Sequence, residues 1–344
     1  MSRGLGIWAT IVPLGYASTR RKRRAGNGLS TREIVVQQLI GALRANIRQV
    51  FMGHEDVIDT IICCLLARGH VLIEDVPGVG KTVLATAVAR STACSFARIQ
   101  LTPDLLPGDV LGVSVYNRES GEFQFKKGPI FASIILADEI NRTTPRTQTA
   151  LLEAMSDGTV SMDGKSWMLP QPFMVIATQN PYEFEGTYPL PENQLDRFLM
   201  RIRLGYPDPK VEARILELRP GGEPLQSLEP VVNAEQILEL QRATDAVRMD
   251  ATLMNYIIEL ATATRRSEDL ILGLSTRGCL ALAQAARGSA VIAGRDYCIP
   301  EDVLSNVTYV AAHRVILRAA PGGDAGRHAE RVLASIMQRV KSPA

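Results

Sequence analysis

Short apolar runs, separated by stretches with helical spacing, follow one another along the chain up to Arg203. Four of them have the length and β-branched content of buried strands: His70 to Ile73, Ala97 to Leu101, Ser133 to Ala137 and Met174 to Thr178. Around them, apolar residues recur at helical spacing in Thr31 to Val50, Val57 to Ala67 and Val83 to Arg90. Strands that alternate with helices favour a parallel sheet covered on both faces. The pattern predicts an α/β fold.

Two segments depart from this alternation and predict β-hairpins. One runs from about Val113 to Phe125 and turns at Asn117 to Gly121. The other runs from Thr159 to Leu169 and turns at Asp163-Gly164, a strong hairpin signal. Because the α/β sheet is complete without either hairpin, both are candidate functional elements.

The character of the chain changes after Arg203. Gly205 to Pro209 has the composition of a linker, and no convincing strand pattern follows it. Asn233 with Gln236 three residues later predicts a capped helix start. Further helices are predicted over Ala251 to Arg265, Ser275 to Arg287, Pro300 to Arg318 and Gly326 to Val340. We therefore predict a disordered basic segment over 1–30, an α/β domain over 31–204 and a small all-α domain over 205–344.

Composition changes this picture little. The chain has 344 residues, 46% of them hydrophobic and 22% charged, which is typical of a globular protein. No apolar run approaches the ~20 residues that span a bilayer. The order of the apolar stretch Gly6 to Ala17 and the basic cluster Arg20 to Arg24 is the reverse of a secretory signal, which favours a cytoplasmic location. Five cysteines without a C-x-x-C pair indicate neither a zinc site nor a disulfide framework.

The net charge of +2 conceals an asymmetry. Residues 1–29 carry six basic side chains and no acidic one, so subtracting six from +2 leaves −4 for the rest of the chain. The basic segment is interpreted as a solvated tail, or as a start codon assigned too far upstream. A mildly acidic body argues against nucleic acid as a partner.

A phosphate-binding loop is predicted between the first strand and the helix that follows it. Pro77-Gly78-Val79-Gly80 lets several backbone N–H groups converge on one point. Lys81 can then reach the β- and γ-phosphates of a nucleotide, and Thr82 can offer its hydroxyl to Mg²⁺. The triphosphate would lie at the N-terminus of a helix, where unpaired N–H groups favour an anion.

Asp75 stands where the general P-loop pattern has its first glycine. A carboxylate about 4 Å from a phosphate charge would cost roughly 4 kcal/mol at an effective dielectric near 20. We therefore predict that Asp75 points away from the phosphates and adopts the unusual backbone angle that aspartate tolerates.

Two later strands end in polar residues suited to phosphate chemistry. Asp138 and Glu139 close the run Ile134 to Ala137, and two adjacent carboxylates at the ligand-binding edge of a parallel sheet favour a cation. Asp138 would support Mg²⁺, and Glu139 would polarise the attacking water. Asn180, after the next strand, could contact the γ-phosphate and the same water.

Arginines further along the chain could complete such a site. Arg197, Arg201 and Arg203 are all candidates to neutralise the charge that develops on a transferred phosphoryl group. Arg277, near the start of a helix in the second domain, could reach the nucleotide and make the position of that domain depend on the γ-phosphate.

Together these segments resemble the MoxR family of AAA+ ATPases, from about Val35 almost to the C-terminus. Glu74 to Thr82 resembles that family's Walker A segment, and Leu136 to Arg142 resembles its Walker B segment. Three further segments are similar to sensor 1, the arginine-finger box and sensor 2: Ala177 to Pro181 with Glu185 to Pro191, Leu195 to Phe198, and Leu274 to Arg277.

The resemblance implies a P-loop NTPase (AAA+) sheet followed by a helical lid domain, with ATP and Mg²⁺ as cofactors. It marks Arg197 over Arg201 and Arg203, and it implies that Val50 and Gly53 pack on the adenine and ribose. It also implies a homo-oligomeric ring, a hexamer, with the two hairpins facing its pore. The implied function is chaperone-like remodelling of a protein client, often beside a von Willebrand factor A-domain protein.

Two other functions stay open at this point. The chain could be a DNA-acting or chelatase-type AAA+ ring motor subunit, since such branches share the hairpin inserts. It could also be a non-catalytic nucleotide-dependent scaffold, although the intact Asp138-Glu139 pair argues against that.

Overall fold

A computed structural model describes residues 31–181, 186–218, 224–319 and 325–343. The prediction of disorder for 1–30 lies outside these residues. The strands in the described residues are β1 Val71–Glu74, β2 Phe96–Gln100, β3 Gly112–Asn117, β4 Glu122–Lys127, β5 Ile134–Asp138, β6 Thr159–Met162, β7 Lys165–Met168, β8 Met174–Gln179, β9 Met200–Ile202, β10 Leu270–Leu272 and β11 Ile316–Leu317.

Helices occupy most of the remaining described chain. They are α1 Thr31–Arg48, α2 Glu55–Leu66, α3 Lys81–Ser91, α4 Pro107–Leu111, α5 Pro145–Asp157, α6 Glu192–Leu195, α7 Pro209–Leu218, α8 Ala234–Asp245, α9 Ala251–Arg266, α10 Thr276–Ile292, α11 Pro300–Ala311 and α12 Ala325–Arg339. Within the described ranges, every helix is too short or too polar to span a bilayer.

Five strands form one parallel sheet in the order β2-β5-β8-β1-β9. Its central strands are almost entirely buried and are apolar except at their polar carboxyl ends, as expected of a parallel sheet with helices on both faces. The predicted α/β fold and its four strands are confirmed. The fifth strand, β9, was not predicted, because three residues give too short a pattern to recognise.

Both predicted hairpins are present as separate two-stranded sheets, β3-β4 and β6-β7. In the second, Asp163 and Gly164 have φ angles of 51° and 73°, which are the two positive angles that a type I′ turn requires. Phe125 of β4 stacks on Trp167 of β7 with ring centroids 5.0 Å apart, so the hairpins contact each other.

The chain after Gly205 is mainly helical, as predicted. Asn233 caps α8 in the predicted capping box, and Ser275 caps α10 through its side chain. Two details of the prediction are wrong. A short antiparallel pair, β10 and β11, lies in this region, and α11 ends at Ala311 instead of continuing to Arg318. Just beyond this helix end, Arg314 turns inward and donates to carbonyl groups of the two residues before β9.

Two apolar clusters lie on the two faces of the sheet. One packs β-strand residues such as Leu72 and Val175 against α5. The other joins α1, α2 and α3 to α8, α10 and α11, with Ile73, Ile61, Leu240 and Leu282 among its members. Because this second core is continuous, the helices after Gly205 are packed against the same body as the sheet, and the domain division at 204/205 stays a prediction.

Candidate nucleotide-binding site

Several strands end at one edge of the sheet. β1, β8 and β5 are neighbours and parallel, with Glu74 opposite Gln179 and Ala137 opposite Ala177. The residues that follow them are therefore brought side by side at the carboxyl edge, where open α/β sheets bind ligands. Asp75, Asp138-Glu139 and Asn180 all lie at this edge.

The loop between β1 and α3 has the backbone of an anion cradle. Gly78 and Gly80 have φ angles of 87° and 94°, in the left-handed region that glycine adopts readily. A Cβ added to Gly78 would meet no atom within 4 Å, so this part of the loop faces open space. α3 begins at Lys81 and has no side-chain cap, which leaves its first N–H groups available to a ligand. Pro77 and Val79 complete this loop, and Val79 is buried.

Lys81 is held across the loop by backbone carbonyl groups. Its Nζ donates to the carbonyl oxygen of Asp75 at 2.5 Å and to that of Gln179 at 3.1 Å. Burial lowers the pKa of Lys81, while the nearby carboxylates of Asp75, Asp138 and Glu139 oppose that shift. A half-buried ammonium that donates to uncharged carbonyl groups is well suited to an incoming phosphate. Thr82, the next residue of α3, is half-buried at the same helix end.

The carboxylate of Asp75 binds the chain that leads out of β9. Its Oδ2 accepts from the N–H of Leu204 at 2.8 Å and of Gly205 at 2.7 Å, and its Oδ1 accepts from Val76 N–H at 2.7 Å. The carboxylate is thus engaged by the linker, in agreement with the prediction that it points away from the phosphates. The prediction of an unusual backbone angle is wrong, because Asp75 does not have a positive φ.

Asp138 is buried and has two hydrogen-bond donors. Thr178 Oγ1 donates to its Oδ1 at 2.6 Å, and Arg98 Nη2 lies 2.7 Å from its Oδ2. Carboxylate oxygens are suitable ligands for Mg²⁺. Among the described residues, no group of three or more His, Cys, Asp and Glu side chains could hold a metal, so a cation beside Asp138 would need other oxygen ligands, such as a hydroxyl, phosphate or water.

Glu139 has a strained backbone and a restrained side chain. Its φ and ψ of 58° and 53° are left-handed, which costs a non-glycine residue of the order of 1–3 kcal/mol and is most often seen at functional sites. Gln100 Nε2 donates to its Oε2 at 3.0 Å, and Arg142 Nη1 lies 3.3 Å from the same oxygen. Its own N–H donates to Thr178 Oγ1 at 2.9 Å, which fixes the turn after β5.

Asn180 follows β8 and lies beside the turn that carries Glu139. Its carbonyl oxygen accepts from Asn141 Nδ2 at 3.3 Å, which ties the two strand ends together. On the other side of the loop, the ring of Phe51 packs close to Gly80. Val50 packs on the core next to Phe51, and Gly53 has a φ of 91° and lies against Val211 of α7. The segment with Val50 and Gly53 therefore borders the phosphate loop.

The three candidate arginines after α6 lie in different surroundings. Arg197 Nη1 donates to Leu152 O at 2.7 Å and lies 3.1 Å from Ser156 Oγ, both in α5. Arg201 and Arg203 lie 3.4 and 3.0 Å from Glu74, and both approach Glu330 of α12. Arg197 alone is held by neutral groups.

Arg277 does not approach the phosphate loop of its own chain. Its Nε lies 3.3 Å from Asp196 Oδ2, next to Arg197. The chain there precedes β9, and Leu199 N–H donates to His70 O at the amino end of β1. Since a parallel strand rises about 3.3 Å per residue, His70 lies roughly 16 Å along the sheet from Asp75. Arg197 and Arg277 therefore lie together, near the end of the sheet opposite to Lys81.

Sequence reasoning missed the residues that restrain the acid pair. Arg98 and Gln100 are polar residues that alternate with Ala97 and Ile99 in β2, which gave a signal for one polar strand face. Their role needs the strand order, because only the pairing of β2 with β5 sets Gln100 opposite Asp138.

Comparisons with known proteins agree with this arrangement. Residues 70–200 match the model of the ATPase family associated with various cellular activities (AAA), and residues 262–336 match the AAA lid domain. The chain is 47% identical to YeaC of Bacillus subtilis over 305 residues, 89% of this chain and 95% of that protein. It is 40% identical to chaperone MoxR1 of Mycobacterium tuberculosis over 280 residues, 79% of this chain and 74% of that protein. A crystal structure of a proposed ATPase from Cytophaga hutchinsonii superposes with a TM-score of 0.80 at 34% identity, covering 91% of this chain and 97% of that one.

Proposed function

Because the chain belongs to the MoxR family of AAA+ ATPases, we propose that it binds ATP with Mg²⁺ at the carboxyl edge of its sheet and hydrolyses the terminal phosphoanhydride bond. One observation carries the proposal. Lys81 begins α3 and the adjacent acids Asp138 and Glu139 close β5, and these acids lie near enough to Lys81 to oppose its pKa shift. This is the set of charges that phosphoryl transfer requires.

The loop and the first turn of α3 bind the triphosphate. N–H groups around Gly78 and Gly80 surround the phosphate oxygens, and Lys81 exchanges its carbonyl partners for the β- and γ-phosphates. Thr82 and Asp138 would hold a magnesium ion, which would neutralise charge on the phosphate oxygens. Val50 and Gly53 lie on the side of the loop where the base and ribose would bind.

Glu139 is the general base that orients the attacking water. Its side chain is restrained by Gln100 and Arg142, and its left-handed backbone directs it away from the line of β5. Asn180, from the neighbouring strand end, positions the same water against the γ-phosphate. Both residues direct this water toward the γ-phosphorus, while Lys81 holds the γ-phosphate in place.

Arg197 acts on the nucleotide of a neighbouring copy in a ring, for which we propose six subunits. It lies too far along the sheet to reach its own phosphate loop, whereas Arg201 and Arg203 are engaged by Glu74 in their own chain. Arg277 lies beside Arg197 through Asp196, so we assign it to the neighbouring nucleotide as well, in place of the nucleotide of its own chain. Each ATP site is then complete only at an interface between copies.

The mechanical output is remodelling of a protein client. The name of the Mycobacterium tuberculosis relative, chaperone MoxR1, supports a chaperone-like role. The two hairpins carry exposed apolar side chains, among them Phe123 and Met168, which could grip a client. A von Willebrand factor A-domain protein is a proposed partner.

The Glu139→Gln variant tests the chemistry. It should bind ATP as the wild type does but release phosphate at least about 100-fold more slowly, since general-base catalysis contributes 10²–10⁴ in rate. Glu259→Gln, on the exposed face of α9, is the matched control and should hydrolyse at the wild-type rate. Unchanged phosphate release by Glu139→Gln would refute the assignment.

A second experiment tests the shared site. Arg197→Ala should assemble but hydrolyse poorly, and mixing it with Glu139→Gln should restore part of the activity. In a mixed ring, an intact Glu139 then meets an intact Arg197 from the neighbouring copy. Mixtures no more active than their components would exclude a role for Arg197 in trans.

A further inference from the structure

Arg314 is a buried arginine that none of the steps above uses. Arg314 follows α11, in the mainly helical chain after Gly205, which we call the helical region. Its side chain is 4% exposed and reaches the segment between α6 and β9. Its Nε donates to Asp196 Oδ1 at 2.7 Å, and its Nη2 donates to Asp196 O at 3.1 Å and Phe198 O at 2.6 Å. Its Nη1 donates to Leu199 O at 3.1 Å. One guanidinium thus holds the backbone on both sides of Arg197.

The geometry of these bonds depends on the shape of the arginine side chain. A planar guanidinium offers five donors in a rigid fork, so it can satisfy a carboxylate and several carbonyl groups at once. A lysine ammonium of similar reach is a point charge and cannot span the same acceptors. Burial lowers the pKa of Arg314, and the carboxylate of Asp196 opposes the shift.

Asp196 connects the buried Arg314 to a second arginine, the exposed Arg277. Its Oδ1 accepts from Arg314, while its Oδ2 lies 3.3 Å from Arg277 Nε at the start of α10. Two elements of the helical region, α10 and the segment after α11, therefore hold the residue that directly precedes Arg197. A shift of the helical region would move this segment through both contacts.

We propose that Arg314 is a positioning residue that presents Arg197 to the nucleotide of the neighbouring copy. This inference rests on the proposed function, in which Arg197 acts in trans. Arg314 belongs to the helical region of one copy and fixes the segment that carries Arg197. Since Arg197 acts on the nucleotide of the next copy, the helical region of one copy is linked to ATP hydrolysis in the next. Arg314 itself contacts neither the nucleotide nor the water.

Mixed rings separate this role from simple stabilisation. Glu139→Gln supplies Arg197, and Arg197→Ala supplies the intact Glu139, so the two chains have different tasks at the active interface. Arg314→Lys is added either to the Glu139→Gln chain or to the Arg197→Ala chain, and phosphate release is measured for each mixture. We expect at least a tenfold loss of restored activity in the first placement, since small misplacements of a catalytic group have large effects on rate. The second placement should retain the restored activity, because its Arg314 positions only an alanine.

A matched control comes from another arginine of the helical region. Arg295 binds Asp302 through two bonds of 2.7 and 2.6 Å inside that region, without contact to Asp196. Arg295→Lys and Arg314→Lys should both lower the thermal unfolding temperature, but Arg295→Lys should affect both placements equally. Phosphate release is compared between the Arg295→Lys and Arg314→Lys mixtures at the same interval below the unfolding temperature of each variant. A difference between the two placements that only Arg314→Lys shows then does not come from lost stability.

Each outcome decides a different claim. Loss confined to the Glu139→Gln placement supports the positioning role. Equal losses in both placements, or none in either, would overturn it while leaving the trans action of Arg197 intact. If the mixture with Arg314 unchanged shows no restoration, the trans assignment fails, and this inference fails with it.

Discussion

Replacing Asp75 asks whether its carboxylate serves the linker or the nucleotide. The structure gives it three backbone donors: the N–H groups of Val76, Leu204 and Gly205, at 2.7, 2.8 and 2.7 Å. The first belongs to the phosphate loop and the other two to the chain that leaves β9. Asp75→Ala removes the shared acceptor, so the loop and the linker lose their common contact.

The expected cost follows from the exposure of the three donors. A hydrogen bond to a charged group contributes about 1.5–3 kcal/mol, but water replaces much of this where the donor is exposed. Gly205 is exposed and Leu204 is buried, so the N–H of Leu204 is the donor that water replaces least. We expect Asp75→Ala to lower the free energy of unfolding by about 2–3 kcal/mol. Asp75→Asn keeps a neutral acceptor oxygen and should cost about 1 kcal/mol.

Denaturant unfolding and ATP binding together test this account. Asp208→Ala is the control, because its Oδ1 accepts the exposed N–H of Lys210 at 2.9 Å at the start of α7, a helix-capping bond whose loss should cost about 1 kcal/mol. ATP affinity should not rise in any Asp75 variant. A carboxylate about 4 Å from a phosphate would repel it by roughly 4 kcal/mol, so its removal would strengthen binding about 1,000-fold. Such a gain, or a stability equal to that of Asp208→Ala, would refute the linker role.

Two further predictions concern stability. Burial lowers the pKa of His70 to about 4, below its unfolded value of about 6.5, so the unfolded chain binds the extra proton and stability falls as the pH drops from about 6.5 to 4. The slope from this residue should be about 1.4 kcal/mol per pH unit, and unfolding at pH 7 and 5 should show a smaller pH dependence for His70→Gln than for the wild type. Asn233→Ala should cost about 1 kcal/mol in the unfolding free energy, because its Oδ1 accepts Gln236 N–H at 2.9 Å at the start of α8. Gln236→Ala, which keeps that bond and loses the reciprocal one, should cost less; equal losses would contradict the capping role of Asn233.

The elements that could be predicted from the sequence are those with local causes. The Asp163-Gly164 turn forces two positive φ angles, and the capping box of Asn233 satisfies the first N–H groups of α8, so neither depends on distant contacts. The strands that were missed are short. β9, β10 and β11 have three, three and two residues, and each exists because a neighbouring strand is present to pair with it.

The candidate site divides in the same way. Lys81, Asp138, Glu139 and Asn180 could be placed together from the sequence, because each follows an apolar strand and parallel strands end at one edge. Their restraining partners could not, since strand order is a property of the whole sheet. Nothing local in β2 indicates that Gln100 pairs with Asp138 and contacts Glu139.

The position of Arg277 illustrates a deeper limit of reasoning from motifs. Its segment indicated an arginine at the start of a helix, but a helix start does not say which end of a sheet it faces. That choice depends on distant contacts: α10 and α11 share an apolar core with α2, and Arg314, separated from Asp196 by 118 positions, binds the carbonyl groups of Phe198 and Leu199. Breaking these contacts would leave a buried charge without its carboxylate and several acceptors without donors, which typically costs 3–5 kcal/mol. The helical region is thereby fixed beside the amino end of β1, away from the phosphate loop of the same chain, and this is why the proposed function assigns Arg277 to the nucleotide of a neighbouring copy.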